Sequence, residues 1–403
     1  MLKAYKYRLY PTIEQSVLID KHIDACRFVY NLALETKMYA YSAHRVNLTR
    51  YDLIGQLPEL KKQCEWLKEV DSQSLQQSII NLDKAFSSFF KNNSKYPRFR
   101  CKKSSGSFKN PHGGKVSIKG DKISLPMFRD GIQFYQDREI DGVIKQSIVS
   151  KTKTNKYFVC LLVDNRKPLP IKVEISESTS IGIDLGLSHF AITSNGYKMD
   201  NPTHLKKAIP KLKYLQRLSA KKKKGSNNRK KANYKIAILH EKISNRRKDF
   251  LHKLSTKLIS ENQTICLEDL NVKGMAKNHN LAQSISDAGW SMFVSMCKYK
   301  AEWSGKNILQ IPTFEPSTKI CSSCGYTNRE LTLKDREWTC ICGVHHDRDI
   351  NAAINIKNYC MKEISGGVRR KKVAELPTMV GAMKQQLIPS IINNSESLTL
   401  SND

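Results

Sequence analysis

Two apolar stretches that each end in an acid, Ser180-Ile-Gly-Ile-Asp184 and Thr264-Ile-Cys-Leu-Glu268, limit what this chain can fold into more than any other feature. Each is a continuous apolar run of strand length, the pattern of a strand buried within an α/β sheet. A carboxylate at the edge of a core is costly unless a cation or hydrogen-bond donors meet it. A structural Arg or Lys would satisfy one such acid, but two strands delivering acids in the same way point to a shared cation. Gly186 follows the first acid where a side chain would crowd whatever approaches. A third acidic site, His346-Asp-Arg-Asp349-Ile-Asn-Ala-Ala353, opens an Ala-rich helix, where Asp349 also has the spacing of a helix cap. Carboxylate oxygens suit Mg²⁺ or Mn²⁺. Two such ions ~3.5–4 Å apart activate a water and stabilise the leaving oxygen of a phosphodiester. Asp184, Glu268 and Asp349 are the candidate metal-holding catalytic residues, with Asp347 and Asp269 as neighbouring acids in supporting roles and Asp347 as the rival to Asp349.

The charge balance names the partner. Lys and Arg outnumber Asp and Glu by 68 to 37 in 403 residues, a formal charge of +31, while 40% of residues are apolar and supply cores for two or three domains. Nucleic acid is the expected partner. The opening Met-Leu-Lys-Ala-Tyr-Lys lacks the apolar centre of a signal peptide, and no run reaches the ~18–20 apolar residues of a membrane span, so a cytoplasmic protein without a membrane partner is expected. The charge is clustered. Lys206 to Lys248 holds seventeen Lys and Arg against Glu241 alone, including Lys221, Lys222, Lys223 and Lys224, then Arg229, Lys230 and Lys231. Leu212, Leu215 and Leu218, then Ile236, Leu239 and Ile243, recur at helical intervals, so a helical hairpin with a basic tip is expected. Such a run serves as a solvated face or as a phosphate-binding wall. Arg98, Arg100, Lys102 and Lys103 form a second cluster around Phe99, which suits either stacking on an unpaired base or a local core.

Of the eleven cysteines, Cys160 and Cys266 lie in apolar runs as small hydrophobes. Cys321-Ser-Ser-Cys324-Gly and Cys340-Ile-Cys342-Gly form two pairs with near zinc-ribbon spacing. Cys-x-Cys is one residue short of the usual knuckle, so the second turn must be tighter. His345 and His346 stand close enough to replace a thiolate, but Cys321, Cys324, Cys340 and Cys342 already complete a closed, structural Zn²⁺ site beside Asp349.

Tyr5, Tyr7 and Leu9 alternate with basic residues as in a half-buried strand, and Pro11 ends it. Thr12 and Gln15 have capping-box spacing ahead of a helix whose apolar face is marked by Val17, Leu18, Ile23, Cys26, Val29 and Tyr30. A second helix runs through Leu75, Ile79, Leu82, Phe86 and Phe89. Residues Lys91 to Gly114 read as a loop, and strands follow at Lys115–Leu125, Gly131–Gln136, Gly142–Lys151 and Lys156–Asp164. Beyond Ile181 come strand, strand, the basic helical region, strand, helix, the cysteine cluster and a final helix near Asp349.

These residues resemble the TnpB proteins encoded by bacterial insertion sequences, relatives of the type V CRISPR nucleases. The likeness spans about Leu2 to Met361. It is carried by Lys3-Ala-Tyr-Lys-Tyr-Arg-Leu-Tyr-Pro11, Tyr96-Pro-Arg-Phe99, Gly182-Ile-Asp-Leu-Gly186, Leu267-Glu-Asp-Leu-Asn271 and Asp347-Arg-Asp-Ile-Asn-Ala-Ala353. Pattern and resemblance together give a multidomain α+β protein. An N-terminal β-barrel-like (wedge) domain over 1–170 carries a helical recognition insertion at about 12–95. A RuvC-like nuclease domain of RNase H fold over 171–365 follows, with the basic hairpin at about 203–255 and a zinc ribbon at about 318–345, before a disordered tail over 366–403. The resemblance implies an RNA-guided endonuclease that cuts double-stranded DNA beside a short target-adjacent motif, acting as a monomeric ribonucleoprotein with Asp184, Glu268 and Asp349 as its catalytic acids. It also places Gln76, on the helix from Ser72 to Phe90, near the duplex, where glutamine reads adenine; surface solvation is the other reading. A strand-transfer transposase and a guide-dependent repressor without cleavage are the alternatives, the latter disfavoured because all three acids are present.

Overall fold

The computed structural model describes residues 1–102, 105–312, 317–332 and 335–365. The expected tail at 366–403 and Lys103 lie outside the described residues. The chain divides into two compact units, and the described residues put their boundary between Pro168 and Leu169. None of the described helices is long and apolar enough to cross a membrane.

The first unit opens with β1 (Leu2–Tyr10), then α1 (Ile13–His44), α2 (Arg50–Gly55), α3 (Leu57–Gln63) and α4 (Ser72–Phe90). Six strands follow: β2 (Gly106–Asn110), β3 (Ser117–Lys119), β4 (Lys122–Leu125), β5 (Phe128–Tyr135), β6 (Val143–Lys151) and β7 (Tyr157–Asp164). They form one sheet in the order β2-β6-β7-β1-β5-β4-β3. β1 pairs antiparallel with β7 and β5, so the first strand of the chain lies at the centre of the sheet. Among the described residues no ladder joins β2 to β3, so backbone hydrogen bonds leave the sheet open.

The capping box of Thr12 and Gln15 forms at the start of α1. The buried stripe of that helix runs through Ile19, Ile23, Cys26, Val29 and Tyr30, whereas Val17 is exposed. Residues 115–125 are two strands rather than one, because Gly120 at φ 57° turns the chain between β3 and β4. The stretch expected as loop contains β2, which pairs with β6 and buries Phe108. Its sequence, Gly-Ser-Phe-Lys-Asn, has one large apolar residue and no alternation to announce a strand.

In the second unit, β8 (Ser180–Asp184), β9 (His189–Thr193) and β10 (Lys198–Asp200) precede the hairpin of α5 (His204–Ala220) and α6 (Asn227–Glu261). Then come β11 (Thr264–Glu268), α7 (Val272–Met275), α8 (His279–Ala288), α9 (Trp290–Trp303) and β12 (Asn307–Ile311). The short pair β13 (Glu337–Thr339) and β14 (His345–Asp347) leads into α10 (Arg348–Ser365). The sheet order is β10-β9-β8-β11-β12, with β8, β11 and β12 parallel and β9 antiparallel to β8. One core holds Ile183, Phe190, Leu251, Leu258, Leu267, Trp290 and Phe293. A second apolar cluster joins Cys266 and Ile311 to Ile356 and Cys360 of α10.

Two local devices hold this unit in register. Thr203 has a left-handed φ of 46° and makes no side-chain cap, so the first amides of α5 are met from elsewhere. Buried Asp287 accepts from Leu205 N at 2.8 Å and Lys206 N at 3.4 Å, and pairs with Arg247 at 2.9 Å. A carboxylate is the favoured partner of a helix N-terminus. The second device is Gly182, where a Cβ would lie 2.0 Å from the carbonyl oxygen of Ala353. Only a residue without a side chain lets α10 approach β8 so closely.

Candidate functional site

Asp184 ends β8 and Glu268 ends the neighbouring β11. Ile183 pairs with Leu267 in the parallel register, so the two acids stand one residue further along adjacent strands, ~4.8 Å apart in backbone. Removal from water, then the charges of Asp349 and Glu268, push the Asp184 carboxyl up to about 7 against the opposing pull of Arg348 and the Leu185 amide. Burial and the neighbouring Asp269 also raise Glu268. Asp184 therefore feels two like charges from segments 84 and 165 residues further along the chain.

The structure separates the two acids at the start of α10. Asp347 is the cap: its Oδ1 accepts from Asp349 N at 3.1 Å and Ile350 N at 3.0 Å, while Oδ2 pairs with Lys198. Burial alone would raise Asp347, but the Lys198 ammonium and those backbone donors outweigh it and hold the carboxyl below the usual carboxylate range. Asp349 is thus released from capping. It accepts from Arg348 Nη2 at 2.9 Å and Nε at 3.1 Å, and from Arg336 Nη1 at 3.3 Å. Arg336 also donates to Ser188 Oγ at 3.3 Å. No sequence pattern marks Arg336; its place follows only from the fold of the cysteine segment.

The Sγ atoms of Cys321, Cys324, Cys340 and Cys342 all lie within 4.8 Å of one another and could hold a metal ion. Cys321 to Cys342 is 3.8 Å and Cys324 to Cys340 is 3.5 Å. Four sulfurs ~2.3 Å from one ion in a tetrahedron would be ~3.8 Å apart. Each pair sits on a glycine turn. Gly325 N donates to Cys321 O at 2.9 Å, four residues back, while Gly343 N donates to Cys340 O at 2.9 Å, three residues back. The second turn is tighter by the residue it lacks. His346 is buried, with Nε2 3.0 Å from Cys321 Sγ, and His345 is exposed beside Thr339 and Glu337. Burial raises the Cys321 thiol, but the Cys324 and Ser323 amides and the His346 ring outweigh it and bring it down to about 5.

The thiol cluster is fastened to the acid-bearing helix. Asn351 of α10 accepts from Ser322 N at 2.9 Å and donates to Ile320 O at 2.7 Å; Asn355 donates to Ser317 O at 2.7 Å. These contacts tie the first knuckle to the turn of α10 just beyond Asp349.

The basic residues are more dispersed. Lys221 closes α5, and Lys223, Lys224, Lys230 and Lys231 are exposed at the hairpin tip. Lys222 and Arg229 are half-buried, with Arg229 donating to Lys222 O at 3.3 Å. In the first unit the Arg100 guanidinium lies 3.8 Å from the Tyr30 ring centre, Lys102 pairs with Asp24 at 3.3 Å, and Arg98 and Phe99 are exposed. Gln76 is half-buried, and its neighbour Gln77 is buried in the α4 face.

Comparison with known proteins places this architecture. Residues 161–279 match the OrfB_IS605 family model, described as "Probable transposase", and 290–356 match "Cas12f1-like, TNB domain". Residues 1–45 match a model described as "Helix-turn-helix domain", although here they form one strand and one continuous helix. A Cas12f1 chain, solved by cryo-EM as the "Cas12f1-sgRNA-target DNA complex", superposes with a TM-score of 0.55 at 14% identity, over 89% of this chain and 99% of that one. Fold and cysteine segment thus define a protein of Cas12f1-like architecture. A Streptomyces pristinaespiralis protein named "Putative RNA-guided DNA endonuclease" is 38% identical over 88% of each chain. InsQ of Escherichia coli K12, which carries the same description, is 31% identical over 88% of this chain and 91% of its own. A mimivirus "TnpB-like protein L79" is 26% identical over 46% of this chain. The chain belongs to the TnpB family of insertion-sequence proteins.

Proposed function

We propose that this protein is an RNA-guided endonuclease, a monomeric ribonucleoprotein of the cytoplasm that cuts double-stranded DNA beside a short target-adjacent motif. The observation that carries the reading is that Asp349 and Glu268 bear on one buried acid, Asp184, whose carboxyl burial and then those two charges raise to about 7. Carboxylate oxygens suit Mg²⁺ or Mn²⁺, although among the described residues it is the four thiols, not the acids, that already lie close enough together to hold an ion. Divalent ions bound there would supply an activated water and stabilisation of the leaving oxygen. Asp184 and Glu268 hold fixed positions because their strands are paired within a packed core. Arg336 and Arg348 orient Asp349 and place positive charge where a phosphate would enter.

The unit that contains these acids is RuvC-like in this reading, since its sheet runs outward from β8 through β9 to β10 on one side and through β11 to β12 on the other. The four thiols hold Zn²⁺ as a closed structural site, consistent with their near-tetrahedral spacings. The names of the relatives support guidance by RNA, and base pairing would supply the sequence choice that scattered backbone-binding Lys and Arg cannot. Arg98, Arg100, Lys102, Lys103 and the hairpin tip then serve as backbone contacts, with Gln76 toward the target duplex.

The test is cleavage by the protein purified with its co-expressed native RNA, on a plasmid that carries the matching target and a randomised flank. Mg²⁺-dependent double-strand breaks in the wild type and intact plasmid with Asp184→Ala are expected. Cutting without RNA, cutting without added metal, or equal activity in the variant would overturn the proposal, and joined rather than cut products would identify strand transfer.

A further inference from the structure

We propose that His346 is a positioning residue that couples the thiol cluster to the acid-bearing end of α10. Its Nε2–H donates to the Cys321 sulfur, and through the next residue, Asp347, it fixes the cap of the helix that carries Asp349. The contact stands by itself; its consequence for cleavage rests on the proposed function. The second knuckle is the turn of a hairpin, with Cys340 and Cys342 between β13 and β14. These strands have three residues each, and their pairing sets Trp338 opposite His346. A two-stranded ribbon so short does not hold itself in water. His346 anchors it: the buried ring lies 4.9 Å from the buried Trp338 ring, tilted by 38°, and brings Nε2 to 3.0 Å from Cys321 Sγ of the first knuckle.

The spacing separates a supporting donor from a ligand. A nitrogen and a sulfur bound tetrahedrally to one Zn²⁺ would stand ~3.6 Å apart. The thiols have ligand spacing across the two knuckles, at 3.8 Å and 3.5 Å, whereas the imidazole has the spacing of a hydrogen bond to one of them. A metal-bound thiolate carries no proton, so the hydrogen of this contact sits on Nε2. Without the sulfur as acceptor, that buried ring nitrogen would be costly. The chain then carries the contact to the acids. Asp347 follows His346 directly, and its Oδ1 accepts from Asp349 N at 3.1 Å and Ile350 N at 3.0 Å. Asn351 and Asn355 fasten the first knuckle to α10 beyond Asp349, while His346 ties it to the chain just before Asp349. Loss of the donor therefore loosens β14 and the cap without removing a ligand.

The experiment uses the full-length, zinc-loaded protein beside His346→Phe, which keeps a ring against Trp338 without a donor, and His346→Gln, whose amide restores one. Zinc transfer to a colorimetric chelator is expected to be about tenfold faster in His346→Phe and to return to within about threefold of wild type in His346→Gln. After exchange of zinc for Co²⁺, the visible bands of four-sulfur coordination are expected in all three proteins. Hydrogen exchange in the peptide that opens α10 should be about fivefold faster in His346→Phe. Cleavage should fall about tenfold in that variant with one zinc per chain retained. Cobalt bands that report a lost nitrogen ligand in His346→Phe would make the ring a ligand and overturn the proposal. Zinc transfer or α10 exchange equal to wild type in His346→Phe overturns it too. If His346→Phe does not fold, His346→Gln decides: values near wild type support the donor, and zinc loss more than about tenfold faster overturns it. A wild-type protein that does not cut, with zinc transfer and exchange as expected, removes the nuclease reading and leaves the coupling standing.

Discussion

The acid cluster and the thiol cluster adjoin in sequence and share α10, yet they are built on opposite principles. The thiols converge within 4.8 Å on glycine turns whose apolar support, among the described residues, is Cys321, Leu331, Trp338 and Cys340. Asp184 and Glu268 sit on strands of the sheet packed in the large core of the second unit, Asp349 sits on a helix seated on that sheet, and the charges of Glu268 and Asp349 bear on Asp184. The apolar support of the thiols is small and two of its four members are the thiols themselves, so a metal held there would contribute folding energy. The acids are held by strand pairing and by the arginines beside Asp349, with the Asp184 carboxyl still raised by burial and by its acidic neighbours. One cluster already has the spacing of a metal site; the other gathers acids that the proposed function would load with an ion.

The largest effect that would break this contrast is on chemistry without stability. Glu268→Gln is expected to lower cleavage by at least about 10³-fold while the melting temperature stays within about 2 °C of wild type, measured by plasmid cutting and calorimetry. A variant that unfolds would erase the distinction. Next, Cys340→Ser is expected to release one zinc per chain, seen by mass spectrometry of the metal content, and to lower cleavage about 100-fold by loosening α10. If the melting temperature and activity both persist, the thiols are not structural.

The third test reads pH. The folded Asp184 carboxyl, at about 7, lies above the ~3.9 of an unfolded aspartate. Its contribution to stability is therefore complete below pH ~4 and is lost as pH rises through 7. Asp184→Asn should raise the metal-free melting temperature by about 5 °C at pH 8 and change it little at pH 4. Magnesium should remove that advantage at pH 8. The smallest effect belongs to the cap: Asp347→Ala is expected to cost about 1 kcal/mol in denaturant unfolding. It should leave Glu268-dependent chemistry detectable, whereas Asp349→Ala should not.

The sequence exposes the acids because an apolar strand that ends in Asp or Glu strands a charge at the core edge unless something positive meets it, and it exposes the thiols because their spacing is short-range. It does not divide Asp347 from Asp349, since both fall at the start of α10 and only the direction of two side chains decides which one caps. Arg336, Asn351 and Asn355 stay hidden for a related reason: their partners are 13 to 148 residues away and reached by tertiary packing. Gly186 stands out in sequence because it follows an acid, but the steeper constraint falls on Gly182, because α10 crosses the sheet there. β2 is silent in sequence, since one phenylalanine in five residues carries no period.

The seat of α10 on β8 also sets an order in time. A ribosome delivers Asp184 165 residues before Asp349, and until α10 emerges, Cys266 and Ile311 lack the Ile356 and Cys360 that cover them. An unfinished chain therefore holds Asp184 and Glu268 on a half-covered sheet without Asp349. If the proposed function holds, synthesis of the last described helix is the step that completes the site.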